Sequence, residues 1–277
     1  MSKIIVPPIK CQGIKTKLVD SIKEKFPKNF RGVWVEPFMG SGVVGFNMQP
    51  RKAIFADTNP HLINFYNDIK NGKINEVIVK EFLISESKKL QQDGDVYYKE
   101  VRKRFNANPN SLDFLFLNRS CFNGIMRFNK SGGFNVPFCR KPNRFAQRYI
   151  TKITNQIKDV RIIIQSNEYD FLCDTFDNII KLATKNDLIY CDPPYIDRYA
   201  DYYNGWSEDD EQRLFDCLNK NNRSFILSSW HHNKYRSNKY IDKLWNRFNI
   251  SFIEHKYFVG GKKESMNNIT EVLITNF

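Results

Sequence analysis

Apolar residues change their period several times over the first seventy positions, and each change predicts an element. Residues 14–26 place them at helical spacing with Pro27 just beyond, which predicts a helix. Residues 32–35 form a short run rich in Val and Trp, the pattern of a buried strand. It ends in the loop Glu36-Pro37-Phe38-Met39-Gly40-Ser41-Gly42, and a helical pattern resumes at Val43. A second strand over 52–56 ends on Asp57, after which Asn59-Pro60 opens a helix to about Lys70 by its capping chemistry. Such a β-α-β-α series predicts a parallel sheet with ligand sites at the carboxyl ends of its strands.

From about residue 71 the pattern shifts to long polar helices, 75–90 and 97–105, followed by a Gly/Asn/Phe-rich stretch from Phe122 to Arg140. The expected organisation is a catalytic core of residues 1–70 and 161–277, interrupted by an inserted unit over 71–160. The α/β pattern resumes with strands expected at 161–165, 188–191, 224–228, 250–256 and 270–277. Helices are expected near 208–218 and 239–248.

Composition narrows the partners. Lys and Arg total 43 against 30 acidic residues, a net charge of +13, which favours a polyanion such as nucleic acid. The six cysteines are scattered, without the spacings of a zinc site or a disulfide framework, and the four histidines form no ligand motif, so no metal is expected. No apolar run is long enough to span a membrane, and the N-terminus lacks the form of a signal peptide. A soluble, cytoplasmic protein is the expectation.

Asp192-Pro193-Pro194-Tyr195, directly after the run 188–191, carries the most chemistry. Two prolines fix the backbone and remove two amide donors, leaving carbonyl oxygens free to accept. An exocyclic amine offers two N–H donors, matched by an Asp192 carboxylate oxygen and the Pro193 carbonyl, with Tyr195 stacking on the base. The arrangement aims the amine lone pair at an electrophile and needs no covalent enzyme intermediate. A rigid turn alone would explain the four residues. The loop 36–42 adds a second feature, because its glycines let the backbone approach a ligand where a strand turns into a helix. It lacks both the GxGxxG spacing and a phosphate-binding Lys-Ser/Thr pair, which points away from a nucleoside triphosphate and toward a cofactor such as S-adenosylmethionine. Asp57 stands where a carboxylate accepts ribose hydroxyls, although it also suits a helix cap.

With these blocks in place the chain resembles the Dam-type, alpha-group (D12 class) adenine-specific DNA methyltransferases over nearly its whole length. The resemblance rests on Gly13-Ile14-Lys15, EPFMGSG, the stretch Asn123 to Asn129 with Phe134 to Phe138, and DPPY, in the family's order. It implies a Rossmann-like S-adenosylmethionine-dependent core with an inserted, mainly helical DNA-recognition domain carrying a β-hairpin. Lys15 is then expected at the cofactor's methionine carboxylate and Asp57 at its ribose. Asp170 and Phe171 are expected at its adenine, and Glu36, Phe38, Gly40, Gly42 and Asp192 complete the site. Cys11 occupies a cofactor-site position where the family usually has an aromatic residue.

On the DNA side the resemblance makes Phe122 a wedge that fills the space of an extruded adenine, with Asn123 beside it. Arg127 is expected to read a guanine edge, Arg140 to hold a phosphate, and Arg119, Arg144 and Arg148 to add neutralisation. Ile125, Asn129 and Pro137 belong to the same surface, and 129–133 carries a turn signature. Double-stranded DNA is the expected partner, with a restriction endonuclease of the same site as a possible second. An RNA adenine or N(4)-cytosine methyltransferase and a non-catalytic DNA-binding homologue remain alternatives. A cytosine ring-carbon methyltransferase is excluded, because no Pro-Cys pair is present to supply its nucleophile.

Overall fold

The computed structural model describes residues 3–196, 206–220, 223–258 and 266–277. Helix α1 (Val19–Lys25) precedes β1 (Val33–Glu36), α2 (Val43–Met48), β2 (Lys52–Asp57) and α3 (Pro60–Lys70). A helical series follows: α4 (Glu76–Asp93), α5 (Asp95–Ala107), α6 (Ser111–Ser120) and α7 (Gln147–Ser166). The chain then returns to alternation with β3 (Glu168–Cys173), α8 (Phe176–Leu182), β4 (Leu188–Cys191), α9 (Glu208–Asn219) and β5 (Ser224–Asn233). It ends with β6 (Asn249–Phe258) and β7 (Met266–Thr275).

One sheet runs in the order β3-β2-β1-β4-β5-β7-β6. The first five are parallel, and β7 is antiparallel to both β5 and β6. The chain order reverses between β1 and β4, and in open α/β sheets that reversal opens a crevice beyond the carboxyl ends of the strands. β4 is buried at every position, as a central strand covered on both faces must be. The segments leaving β1 and β4 are the glycine loop and the double-proline turn, so the topology alone brings both to one crevice.

One face of the sheet shares its core with the helical series: Phe46, Phe55 and Tyr66 belong to the same buried cluster as Phe114, Phe116, Phe145 and Val160. The other face packs on α8 and α9 through Ile179, Ile180, Leu214 and Leu218, together with Trp245. Within the helical series Arg104 joins Glu86 of α4 (3.1 Å) to Asp113 of α6, whose Oδ2 accepts from Nε at 2.8 Å.

Four expectations change. The strand expected at 161–165 is the last part of α7, and β3 begins only at Glu168. Ile150, Ile153, Ile157, Val160 and Ile164 are buried at three- to four-residue spacing, so the helical period continues through the β-branched run and overrides its strand propensity. The expected domain boundary at 160/161 therefore falls inside a helix. The helix expected over 14–26 shortens to α1, leaving Lys15 in the preceding segment, and that expected over 239–248 reduces to a π-turn at Ile241–Trp245. The expected β-hairpin is a turn closed by single bridges, Phe128 to Phe134 and Cys121 to Phe138, without a ladder. Asn129 fixes that turn: its side chain accepts from the Ser131 and Gly133 amides at 3.1 and 2.8 Å.

Candidate active site

The glycine loop is fixed from beneath. The Met39 amide donates to the Ala56 carbonyl at 2.8 Å, and the buried Tyr66 hydroxyl donates to the Ser41 carbonyl at 2.6 Å. Gly40 and Gly42 adopt φ of 47° and 74°, a region that favours glycine, and a Cβ on Gly42 would lie 2.5 Å from the Phe46 ring. Asp57, at the tip of β2, accepts from the Gly40 amide at 3.1 Å and the Asn59 amide at 2.9 Å. Asn59 itself caps α3, so the capping role weighed for Asp57 falls to its neighbour. Burial raises the Asp57 carboxyl above its usual range, and the amides it accepts from partly offset this.

Across the crevice, Asp192 Oδ1 accepts from Lys15 Nζ at 2.7 Å and from the Ser228 hydroxyl of β5 at 2.9 Å. Oδ2 accepts from no described residue. Burial raises this carboxyl too, with Lys15 opposing the shift. Lys15 also donates to the Gly13 carbonyl at 2.9 Å and lies 4.7 Å from the centre of the Tyr195 ring. The Tyr195 hydroxyl donates to Glu271 of β7 at 2.6 Å, which fixes the ring from its far end. Glu36 completes the set as a fully buried carboxyl. The Trp34 indole donates to it at 2.7 Å, and burial, reinforced by the charge of Asp192, pushes it up to about 8.

These groups line a cavity of about 330 Å³. Cys11, Lys15, Glu36, Phe38, Gly40, Asp57, Asp192, Pro193 and Pro194 all reach it, whereas Gly42, the N-cap of α2, does not line it although its neighbours Ser41 and Val43 do. Its aromatic surface comes from Phe38, Phe176 and Trp206, with ring centres 5.4 to 5.6 Å apart, so Cys11 does not leave the cavity without one. Glu211 of α9 steadies Trp206 by accepting from its indole at 2.8 Å. Asp170 and Phe171 are elsewhere. Asp170 is a 67 % exposed side chain paired with Lys70 at 2.8 Å, and Phe171 is sealed in the core, stacked on Phe55 and Tyr66. Both stand within β3, two or three residues before its end at Cys173, whereas Thr175 and Phe176 lie just past that edge and line the cavity. The signal was available in Asp174-Thr175-Phe176, a second acidic-aromatic group following the first. Ser228 and Glu271, far away in sequence, gave no comparable signal.

The recognition residues divide into exposed and buried. Phe122 is 52 % exposed, and Asn123 beside it has a left-handed φ of 54°. Pro137 holds this tip by accepting from the Phe122 amide at 2.8 Å. Arg127 donates from Nε to the Asn135 side chain at 2.9 Å, which orients its guanidinium. Ile125 is half-buried, Asn129 is exposed in its turn, Arg140 is exposed with φ of 56°, and Met126 of the same segment lines the cavity. Arg119 departs from expectation. It is only 7 % exposed, its guanidinium donates to the Pro8 carbonyl at 3.0 Å, and burial lowers it to about 10. It secures the N-terminal segment from inside and presents no charge to a phosphate. Arg148 stays exposed with its guanidinium 4.7 Å from the Tyr149 ring, and Arg144 is half-buried, donating to the Arg119 carbonyl at 2.6 Å. Among the described residues no cluster could hold a metal ion, and no helix is long and apolar enough to cross a membrane.

Comparison with known proteins gives the family. The type II methyltransferase M.MjaIII of Methanocaldococcus jannaschii is 29 % identical over 99 % of both chains. The retron Ec67 DNA adenine methylase of Escherichia coli is 30 % identical over 96 % of this chain and 89 % of that protein. The DNA adenine methylase of Vibrio cholerae is 33 % identical over 76 % of this chain and 75 % of its own length. The profile of the D12 class N6 adenine-specific DNA methyltransferases matches residues 12–259, which takes in every cavity-lining element except Cys11. The chain belongs to the D12 class of N6 adenine-specific DNA methyltransferases.

Proposed function

We propose that the cavity binds S-adenosyl-L-methionine and that Asp192-Pro193-Pro194-Tyr195 receives an adenine extruded from duplex DNA. The donor set fits an elongated molecule: an aromatic surface for a purine, the Asp57 carboxylate for vicinal hydroxyls, and Glu36 and Asp192 near a positive centre. When bound, the cofactor supplies an electrophilic methyl group.

The single observation that carries the reading is the division of labour on Asp192. Lys15 and Ser228 hold Oδ1, which leaves Oδ2 for one amine N–H, while the Pro193 carbonyl takes the other. Two fixed acceptors orient the nitrogen lone pair, and both are in place before the base arrives. Burial makes the Asp192 carboxylate a better proton acceptor than an exposed one, so Oδ2 is placed to take the proton released on methylation. Tyr195, fixed through Glu271, supports the base ring.

The helical series and the stretch 122–140 act as the DNA-recognition unit in this reading, with Phe122 as wedge, Arg127 at a base edge and Arg140 at a phosphate. Exposure of the first and last and the side-chain orientation of Arg127 support those roles. Relatives named type II methyltransferases support pairing with an endonuclease of the same site. The test is to incubate the protein with duplex DNA and methyl-labelled donor, digest to nucleosides and separate them. Label is expected in N6-methyladenine at a fixed sequence. Label in cytosine, or in RNA alone, would overturn the reading.

A further inference from the structure

Beyond the double-proline turn, the sheet continues on one side only. Cys191, the last residue of β4, pairs with Leu227, whereas β5 runs on to Asn233. At the usual rise per residue the strand projects on the order of 20 Å past the tip of β4, on the edge where the catalytic groups lie. It is not a loose arm, because β7 pairs with it as far as Asn233.

The tip after β5 is also fixed. The Asn233 side chain accepts from the Tyr235 and Arg236 amides at 2.8 and 2.9 Å, and its own amide donates to the Arg236 carbonyl at 2.9 Å. Asn238, only 2 % exposed, closes the base by donating to the Trp230 carbonyl at 3.1 Å, while its amide donates to the His231 carbonyl at 2.7 Å. This frame presents Lys234, Tyr235 and Arg236 to solvent, with Tyr235 72 % exposed. Lys239 nearby pairs with Glu208 at 3.6 Å, but among the described residues no carboxylate pairs with Lys234. Two cations flanking a phenol hydroxyl on a stiff projection make a poor protein core and a good phosphate grip.

Resting on the DNA methyltransferase reading above, we propose that the Lys234–Arg236 tip is a second DNA-binding surface. It clamps the sugar-phosphate backbone of the duplex from the catalytic side, while the 122–140 stretch reads bases from the recognition side. Held at both, the duplex cannot pivot when a base is withdrawn. The tip carries no base-reading geometry, so its contribution is independent of sequence.

The test compares wild type, Lys234→Ala/Arg236→Ala and the charge-keeping Lys234→Arg/Arg236→Lys as full chains. Affinity for a site-containing duplex and a scrambled duplex is measured over a salt series. Loss of both cations is expected to weaken binding to the two duplexes equally, about tenfold or more at low salt. The slope of log affinity against log salt is expected to fall by roughly 1.8, about 0.9 per phosphate contact. The charge-keeping variant retains the wild-type slope, and cofactor binding by all three shows that the fold is intact. An unchanged slope in the alanine variant, or a loss confined to the site-containing duplex, overturns the proposal. Methyl transfer by wild type is scored separately: its absence sinks the enzymatic reading, whereas the slope comparison still decides whether the tip grips DNA.

Discussion

The crevice at the carboxyl edge and the stretch 122–140 are held in place in opposite ways. At the crevice Glu36 is buried and Asp57 and Asp192 are half-buried at strand ends; Gly40 and Lys15, both remote in sequence, hold the two aspartates, and Trp34 of the same strand holds Glu36. In the recognition stretch the backbone is held by single bridges and local turns and by Tyr98 and Asn106 of α5, and Phe122, Asn129 and Arg140 stand in solvent while Arg127 is half-buried against Asn135. The crevice therefore encloses the groups that act on the amine, whereas the stretch presents several of its side chains on the surface. Substitutions at the crevice should change rate, and those in the stretch should change which DNA is chosen.

After the loss of Asp192, the largest effect expected to sharpen that contrast comes from Tyr195. Tyr195→Ala removes the ring that supports the base, and at about 1–3 kcal/mol per stacked base methyl transfer should fall by roughly 5- to 150-fold with no change in sequence choice. Tyr195→Phe keeps the ring, loses the bond to Glu271, and should fall far less. Steady-state transfer to a fixed duplex compares the two. Arg127→Ala should act in the opposite sense, costing about 1–3 kcal/mol of discrimination at one base pair while leaving transfer at saturating DNA nearly intact. Methylation of a library of randomised duplexes reads this directly, and a uniform loss across the library would remove Arg127 from base reading.

A smaller effect concerns pH. Burial keeps Glu36 protonated up to about pH 8, and a positive centre in the cavity favours its ionised form. Cofactor binding then expels a proton, so affinity should rise with pH, by up to about tenfold per unit, and level off near 8. Glu36→Gln should flatten this part of the profile in calorimetric titrations. Without ligand the sign reverses for stability. The folded state binds a proton that the unfolded chain has released, so as pH rises from the ordinary glutamate range to about 8 this group's contribution weakens.

The smallest effect separates two arginines that the sequence treats alike. Arg140→Ala should lower the salt dependence of DNA binding by roughly 0.9 in slope. Arg119→Met should leave the slope unchanged and lower the melting temperature, because its guanidinium is spent on the Pro8 carbonyl. Equal slopes for the two variants would blur the division between buried and exposed recognition residues.

Legibility followed the same division. The loop 36–42, Asp57 and the DPPY turn were readable because strand ends, glycines and prolines restrict the backbone locally, and parallel topology carries such ends to one edge. Asp170 and Phe171 were misplaced because a one-dimensional pattern does not show where β3 crosses the sheet edge; Phe176 lies beyond it and Phe171 does not. The run at 161–165 was misread because β-branched residues suit either element until the packing partner of α7 is known. Ser228 and Glu271 were invisible for a related reason. Their roles arise from strand neighbours, β5 beside β4 and β7 beside β5, that no local spacing encodes.

The central claim is that Asp192, held at one oxygen and open at the other, receives the amine. Single-turnover transfer by Asp192→Ala, with cofactor and duplex shown to be bound, tests it most directly. The account predicts that both ligands still bind within a few-fold of wild type while formation of N6-methyladenine falls by about 10³-fold, the scale expected for loss of a preorganised polar contact at the reacting atom. Transfer at the wild-type rate would contradict it.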